Sequence, residues 1–124
     1  MASDDPATVA ATAARGFQVG HCQACAENIR NTLVAAGLPG ELVELRTAGG
    51  RDFMVCVSFD GGQATITQNG RHVGVRVGNM AFDNLHPDGM HFDRWLKDFD
   101  AVGGVIVSSP PLFRNAECLA WLLC

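Results

Sequence analysis

Asn69-Gly70-Arg71-His72-Val73-Gly74-Val75-Arg76-Val77-Gly78-Asn79-Met80-Ala81-Phe82-Asp83 is the stretch that decides the fold. From His72 to Val77 the residues alternate, with Val73, Val75 and Val77 on one face and His72, Gly74 and Arg76 on the other, which is the period of a half-buried strand. Asn69-Gly70 turns the chain into it, and Gly78-Asn79 is a two-residue hairpin signal. Met80-Ala81-Phe82-Asp83 then reads as the returning strand. In an antiparallel hairpin the start of one strand lies beside the end of the next, so His72 and Asp83 are expected to meet.

On the N-terminal side, Cys25, Ile29, Leu33 and Ala36 recur at helical spacing and predict a helix over residues 24–36. Gly37 suits its C-terminal cap, and Pro39 prevents its resumption. Residues 1–15, rich in Ala, Thr and Asp, read as a linker or leader ahead of a single domain over residues 16–124. Between helix and hairpin, Leu42-Val43-Glu44-Leu45 is a short strand candidate. Residues 53–59 read as a buried strand, and Thr65-Ile66-Thr67 as a further one. After the hairpin come a loop over residues 84–90 and a short helix capped by Asp93 and carrying Trp95, Leu96 and Phe99. Val105-Ile106-Val107 offers another strand, and residues 116–124 a terminal helix. Short turns between strands favour antiparallel pairing, so the expected class is α+β, a helix packed on a mostly antiparallel sheet.

Composition narrows the function. The chain has 124 residues, 48% of them hydrophobic and 18% charged, which suits one globular domain. Its formal net charge is −4, with Lys97 the single lysine, so a phosphate-binding surface for nucleic acid is not expected. No apolar run approaches the ~20 residues that span a bilayer, and the first residues lack the basic and apolar regions of a signal peptide. The cysteines, Cys22, Cys25, Cys56, Cys118 and Cys124, are odd in number, which argues against a secreted disulfide framework.

Gly20-His21-Cys22-Gln23-Ala24-Cys25-Ala26 puts two sulfurs at the start of the predicted helix, where unpaired N–H groups and the helix dipole favour a thiolate. Structural zinc wants about four ligands, and neither a second Cys-x-x-Cys pair nor a matching pattern around His86 and His91 supplies them. A thioredoxin-like pair wants a strand just before it, and only Gly16-Phe17-Gln18-Val19 precedes this one. A nucleophilic thiol needs an imidazole and a group that orients it. His72 and Asp83 fit those two roles, and the carboxamide of Asn84 is an alternative orienter. The rival class is a non-enzymatic module whose cysteines hold metal or only fill the core.

Taken together, Cys22-x-x-Cys25-Ala26, Ile29 and Leu33, Asn69-Gly70-x-His72-x-Gly74-Val75, Phe82-Asp83-Asn84-Leu85-His86-Pro87-x-Gly89 and Trp95-Leu96 resemble the papain-fold toxin domains of bacterial polymorphic toxins. The resemblance covers residues 17–99. It implies a papain-like cysteine protease fold with a Cys–His–Asp site and no cofactor. It also implies a carrier chain or specialised secretion system, such as type VI, action on a protein in the target-cell cytoplasm, and a cognate immunity protein. Gln18 then stands where a glutamine before the cysteine helps hold the oxyanion. Its separation from Cys25 is one residue longer than in papain. Cys25, placed within the helix start with its own N–H toward the oxyanion, is preferred as nucleophile over Cys22. The same site also serves a glutamine deamidase or transglutaminase.

Overall fold

A computed structural model describes residues 5–67 and 69–108. Two helices come first, α1 (Pro6–Ala14) and α2 (Cys22–Ala35). Five strands, β1 (Glu41–Thr47), β3 (Arg71–Val77), β4 (Met80–Phe82), β5 (Met90–His91) and β7 (Val105–Ser108), form an antiparallel sheet in the order β5-β4-β3-β1-β7. A small ribbon pairs β2 (Val55–Cys56) with β6 (Phe99–Asp100), and a short helix, α3 (Phe92–Lys97), precedes β6.

The leader stretch is helical. Asp5 caps α1 by accepting the Thr8 N–H at 3.2 Å, and Pro6 follows at the first helical position, where its missing N–H costs nothing. Ala10, Ala13 and Ala14 are buried against α2, and alanine has the strongest intrinsic helix preference. Composition predicts a linker or leader over residues 1–15; the burial of these alanines beside α2 makes residues 6–14 a packed element.

α2 ends as its sequence predicts. Gly37 takes φ +72°, its N–H bonds the Val34 carbonyl at 3.0 Å, and the Leu38 N–H bonds the Leu33 carbonyl at 2.9 Å. One face of α2, Cys25, Ile29 and Leu33, packs on Val73, Val75 and Val77 of β3. Complete burial of a side chain such as Ile29 or Leu33 is worth roughly 1.5–3 kcal/mol.

The hairpin has the expected register, with Val77 opposite Met80 and Val75 opposite Phe82. The opposite sheet face carries a second core of Leu45, Cys56, Met54, Trp95 and Phe99. The strand expected over residues 53–59 shortens to Val55–Cys56, because Phe53 and Val57 are exposed and Phe59 leads into a 3-10 turn at Asp60–Gly62. The expected strand at residues 65–67 reduces to one bridge between Val55 and Thr65. α3 has Asp93 inside its first turn, with His91 at the capping position. The expected terminal helix at residues 116–124 lies outside the described residues. No helix among the described residues is long and apolar enough to cross a membrane.

Gly74 faces the second core and fits there only without a side chain. A Cβ at this position would lie 2.7 Å from Cζ2 of Trp95 and 3.2 Å from the Phe82 carbonyl oxygen. Gly74→Ala is therefore expected to cost about 1–3 kcal/mol by overpacking. Urea denaturation checks this, and an unchanged midpoint would show that the indole moves aside freely.

Candidate functional site

The hairpin brings His72 and Asp83 together. Asp83 follows the last paired residue of β4 and points to the same face as His72 and Gly74. His72 Nε2 donates to Asp83 Oδ2 at 2.7 Å, and both side chains are buried. Over bare Gly74 lies the indole of Trp95, whose Nε1–H donates to the same oxygen at 2.9 Å. The His72 ring also lies against Phe99, centroids 4.8 Å apart. Its Nδ1 is buried with no hydrogen-bond partner.

The other carboxylate oxygen of Asp83 organises the loop after β4. Oδ1 accepts the N–H of Leu85 at 3.0 Å, the N–H of His86 at 2.6 Å and His86 Nδ1 at 2.7 Å. Asp83 is thus a turn-capping residue and a partner of two imidazoles at once. His86, expected only as a loop residue, reaches onward: its Nε2 donates to Asp98 Oδ2 at 2.7 Å and lies 3.8 Å from Cys56 Sγ. The Cys56 thiol donates to Asp98 Oδ2 at 3.3 Å, and Ser58 Oγ donates to that oxygen at 2.5 Å. Asp98 is further fixed by the Ser58 N–H on Oδ1 at 3.1 Å. A continuous polar chain therefore runs His72–Asp83–His86–Asp98, with Cys56 at its far end and the exposed Ser58 leading to the surface.

Electrostatics follow from this chain. Burial alone would raise Asp83, but hydrogen bonds and charge from His72 and His86 outweigh it and hold the carboxyl far below its ordinary range. Burial alone would lower His86, but the Asp83 bond, the Cys56 contact and Asp98 push it up to about 11, so it is an imidazolium at neutral pH. Asp98 is likewise held low, its burial outweighed by Ser58, His86 and Cys56. His86 stabilises the fold fully below its unfolded value near 6.5 and loses that contribution as pH rises toward about 11. Asp83 contributes above its unfolded value near 3.8 and loses that as pH falls. Thermal melts from pH 3 to 10 are expected to peak between about pH 4 and 6.5 and to decline on both sides. A melting temperature rising through pH 9 would contradict this.

The helix cysteines sit differently. Cys25 packs on the valine face of β3, the α2 side of the sheet, whereas His72 faces Trp95 and Phe99. Its thiol donates to the Ala14 carbonyl at 3.6 Å, and beside it Asn28 Nδ2 donates to the Ala13 carbonyl at 2.9 Å, so the two residues close the C-terminus of α1. Burial, then the charge of Asp83, pushes the Cys25 thiol up to about 12. Its N–H bonds the His21 carbonyl at 3.0 Å and is therefore already spent within the helix. Cys22, the first residue of α2, is buried and disulfide-bonded. Gln18 is exposed, and its main-chain carbonyl accepts Asn84 Nδ2 at 2.8 Å, which ties the loop before α2 to the end of β4.

Of the sequence-predicted residues, the structure thus joins His72 to Asp83 and Gln18 to Asn84, and places Cys22 and Cys25 in α2. Cys56, Ser58, His86 and Asp98 are additions. The spacing Asp83-x-x-His86 carried a signal for one of them, since an aspartate commonly bonds backbone groups two or three residues on. Cys56, on a short strand with no motif around it, carried none.

Among known proteins, the family model for papain fold toxin 2 matches residues 7–100. No curated protein and no solved structure matches the chain.

Proposed function

The chain belongs to the papain fold toxin 2 family, and from that premise we propose that it is an antibacterial effector that hydrolyses an amide bond of a target-cell protein through a cysteine thiol. One observation carries the site assignment: Cys56 Sγ lies 3.8 Å from His86 Nε2 while Asp83 holds His86 Nδ1 at 2.7 Å. This is the order nucleophile, proton carrier, orienting carboxylate. The Cys56 thiol passes its proton to Asp98 Oδ2, which it already contacts at 3.3 Å, as the sulfur attacks the carbonyl carbon, and His86 Nε2–H protonates the departing amine. Water then cleaves the thioester, the neutral imidazole taking a proton from the water while the departing sulfur recovers its own from Asp98, which restores the thiol and the imidazolium. Asp98, in contact with both sulfur and imidazole, positions them. Asp98→Asn is expected to move the alkaline limb of the rate–pH profile at least one unit lower, because His86 loses one of its two carboxylates. A profile that loses height without moving would make Asp98 merely structural.

A second reading keeps Cys25 as nucleophile, with His72 as base and Asp83 as orienter. The bare Nδ1 of His72 favours it, since Nε2 is already held by Asp83 and Nδ1 is the nitrogen a thiol would need. It requires the α2 side of the sheet to open, because the Cys25 thiol is now spent on Ala14.

Delivery by a larger carrier chain or secretion system and neutralisation by a cognate immunity protein belong to the same proposal and rest on the resemblance to polymorphic toxin domains alone. Proteomics of cells expressing the domain tests the reaction. New N-termini in a host protein would support a protease. Gln-to-Glu mass shifts or new Gln–amine cross-links without new termini would mean deamidase or transglutaminase chemistry at the same site. Neither change in killed cells would overturn amide chemistry altogether.

A further inference from the structure

We infer that Cys56, His86 and Asp98 bind one zinc-class divalent cation, with Ser58 Oγ or a water completing the set. Their donor atoms, Sγ, Nε2 and Oδ2, lie within 4.8 Å of one another, and Ser58 Oγ lies 3.7 Å from the sulfur and 3.4 Å from Nε2. Thiolate, imidazole and carboxylate together select zinc over the hard cations calcium and magnesium.

The distances show what must move. Metal–ligand bonds of about 2.0–2.3 Å in a tetrahedron put donor atoms roughly 3.3–3.6 Å apart. The sulfur already stands at 3.8 Å from Nε2 and 3.3 Å from Oδ2. Only the contacts of Oδ2 with Nε2, at 2.7 Å, and with Ser58 Oγ, at 2.5 Å, are hydrogen-bond lengths that must open. Ser58 is exposed, so its side chain has room to turn, whereas Asp98, at the C-terminal cap of α3, is buried and has to open its contact with His86 as the cation enters. The cation takes the place of the protons these atoms now share.

Behind the ligands stands a built support. Asp83 holds the far nitrogen of His86 at 2.7 Å, and Asp83 is itself held by Trp95 at 2.9 Å and His72 at 2.7 Å. A carboxylate behind a ligating histidine fixes the ring and raises its basicity, and losing such a partner typically weakens metal binding about 10–100-fold. On the reading of Cys56 as nucleophile, a bound cation would occupy its sulfur and switch the domain off; the binding itself does not depend on that reading.

Chelator-treated protein titrated with Zn2+ against a chromophoric competitor, and with Co2+ followed by absorbance, tests the site. One ion per chain is expected, with a near-ultraviolet sulfur-to-cobalt band and the strong visible bands of four-coordinate cobalt. Cys56→Ser should abolish the sulfur band, Asp98→Asn should weaken binding at least about tenfold, and Cys25→Ser should leave the spectrum unchanged. No saturable binding, or a sulfur band that survives Cys56→Ser, would overturn the inference. Zinc binding through Cys56 in a chain that stays toxic as Cys56→Ala would keep the site and remove the nucleophile assignment. Absent binding with toxicity lost in Cys56→Ala would do the reverse.

Discussion

Asp83→Ala is expected to lower the melting temperature by roughly 15–30 °C, corresponding to a loss of about 4 kcal/mol. Asp83 serves five donors at once. Its two oxygens accept from His72, Trp95, His86 Nδ1 and the N–H groups of Leu85 and His86. Alanine leaves these donors unpaired, each at a cost of about 1–3 kcal/mol before relaxation. It also leaves the His86 imidazolium with Asp98 as its remaining carboxylate partner. Breaking one side of a buried ion pair alone costs about 3–5 kcal/mol, against a total stability of about 5–15 kcal/mol for a typical domain. Part of the loss is recovered if the loop after β4 detaches and hydrates, because Leu85 and His86 lie there. Asp83→Asn should fall between, since a carboxamide keeps an accepting oxygen but carries no charge. Denaturant and thermal unfolding of the three proteins check the order, and a melting temperature within about 5 °C of the parent in Asp83→Ala would mean that the polar chain contributes little to the fold.

That hairpin shows what the sequence makes legible and where it stops. The alternation of residues 72–77 and the turn at Gly78-Asn79 are local signals, and they led to the observed register and to the contact of His72 with Asp83. The same alternation also placed the valines and His72 on opposite faces. α2, with its own apolar stripe, packs on the valines, so Cys25 and His72 are separated by the sheet. Two local patterns, each read well, do not state which face of a strand a distant helix covers. Cys56 and Asp98 were illegible for a related reason. They stand 42 positions apart in the chain and meet through a two-residue ribbon, Val55–Asp100 and Cys56–Phe99. A ribbon that short has no periodicity to read. Asp98 further terminates a helix of six residues, where an acidic side chain resembles any exposed polar residue.

Cys56→Ala is expected to reduce target-cell killing at least about 100-fold while the melting temperature changes by only a few degrees. The stability side follows from the surroundings of the thiol. Cys56 is fully buried beside Met54, Ile66 and Phe99, but alanine removes only one sulfur atom, and Asp98 retains Ser58 and His86 as partners. The activity side follows from its place at the end of the polar chain, because without the sulfur nothing at that position forms the thioester. His86→Gln should match it in activity, since glutamine cannot carry the proton, but at a greater cost in stability, because two carboxylates lose their shared cation. Cys25→Ala is the decisive companion. If its thiol only closes the end of α1, the variant melts lower, because a capping contact and a buried side chain are lost, yet the folded fraction kills as the parent does. If instead Cys25→Ala abolishes killing at full folding and Cys56→Ala does not, the sheet must open at its α2 side during the reaction. The bare Nδ1 of His72 would then be the nitrogen that receives the Cys25 proton.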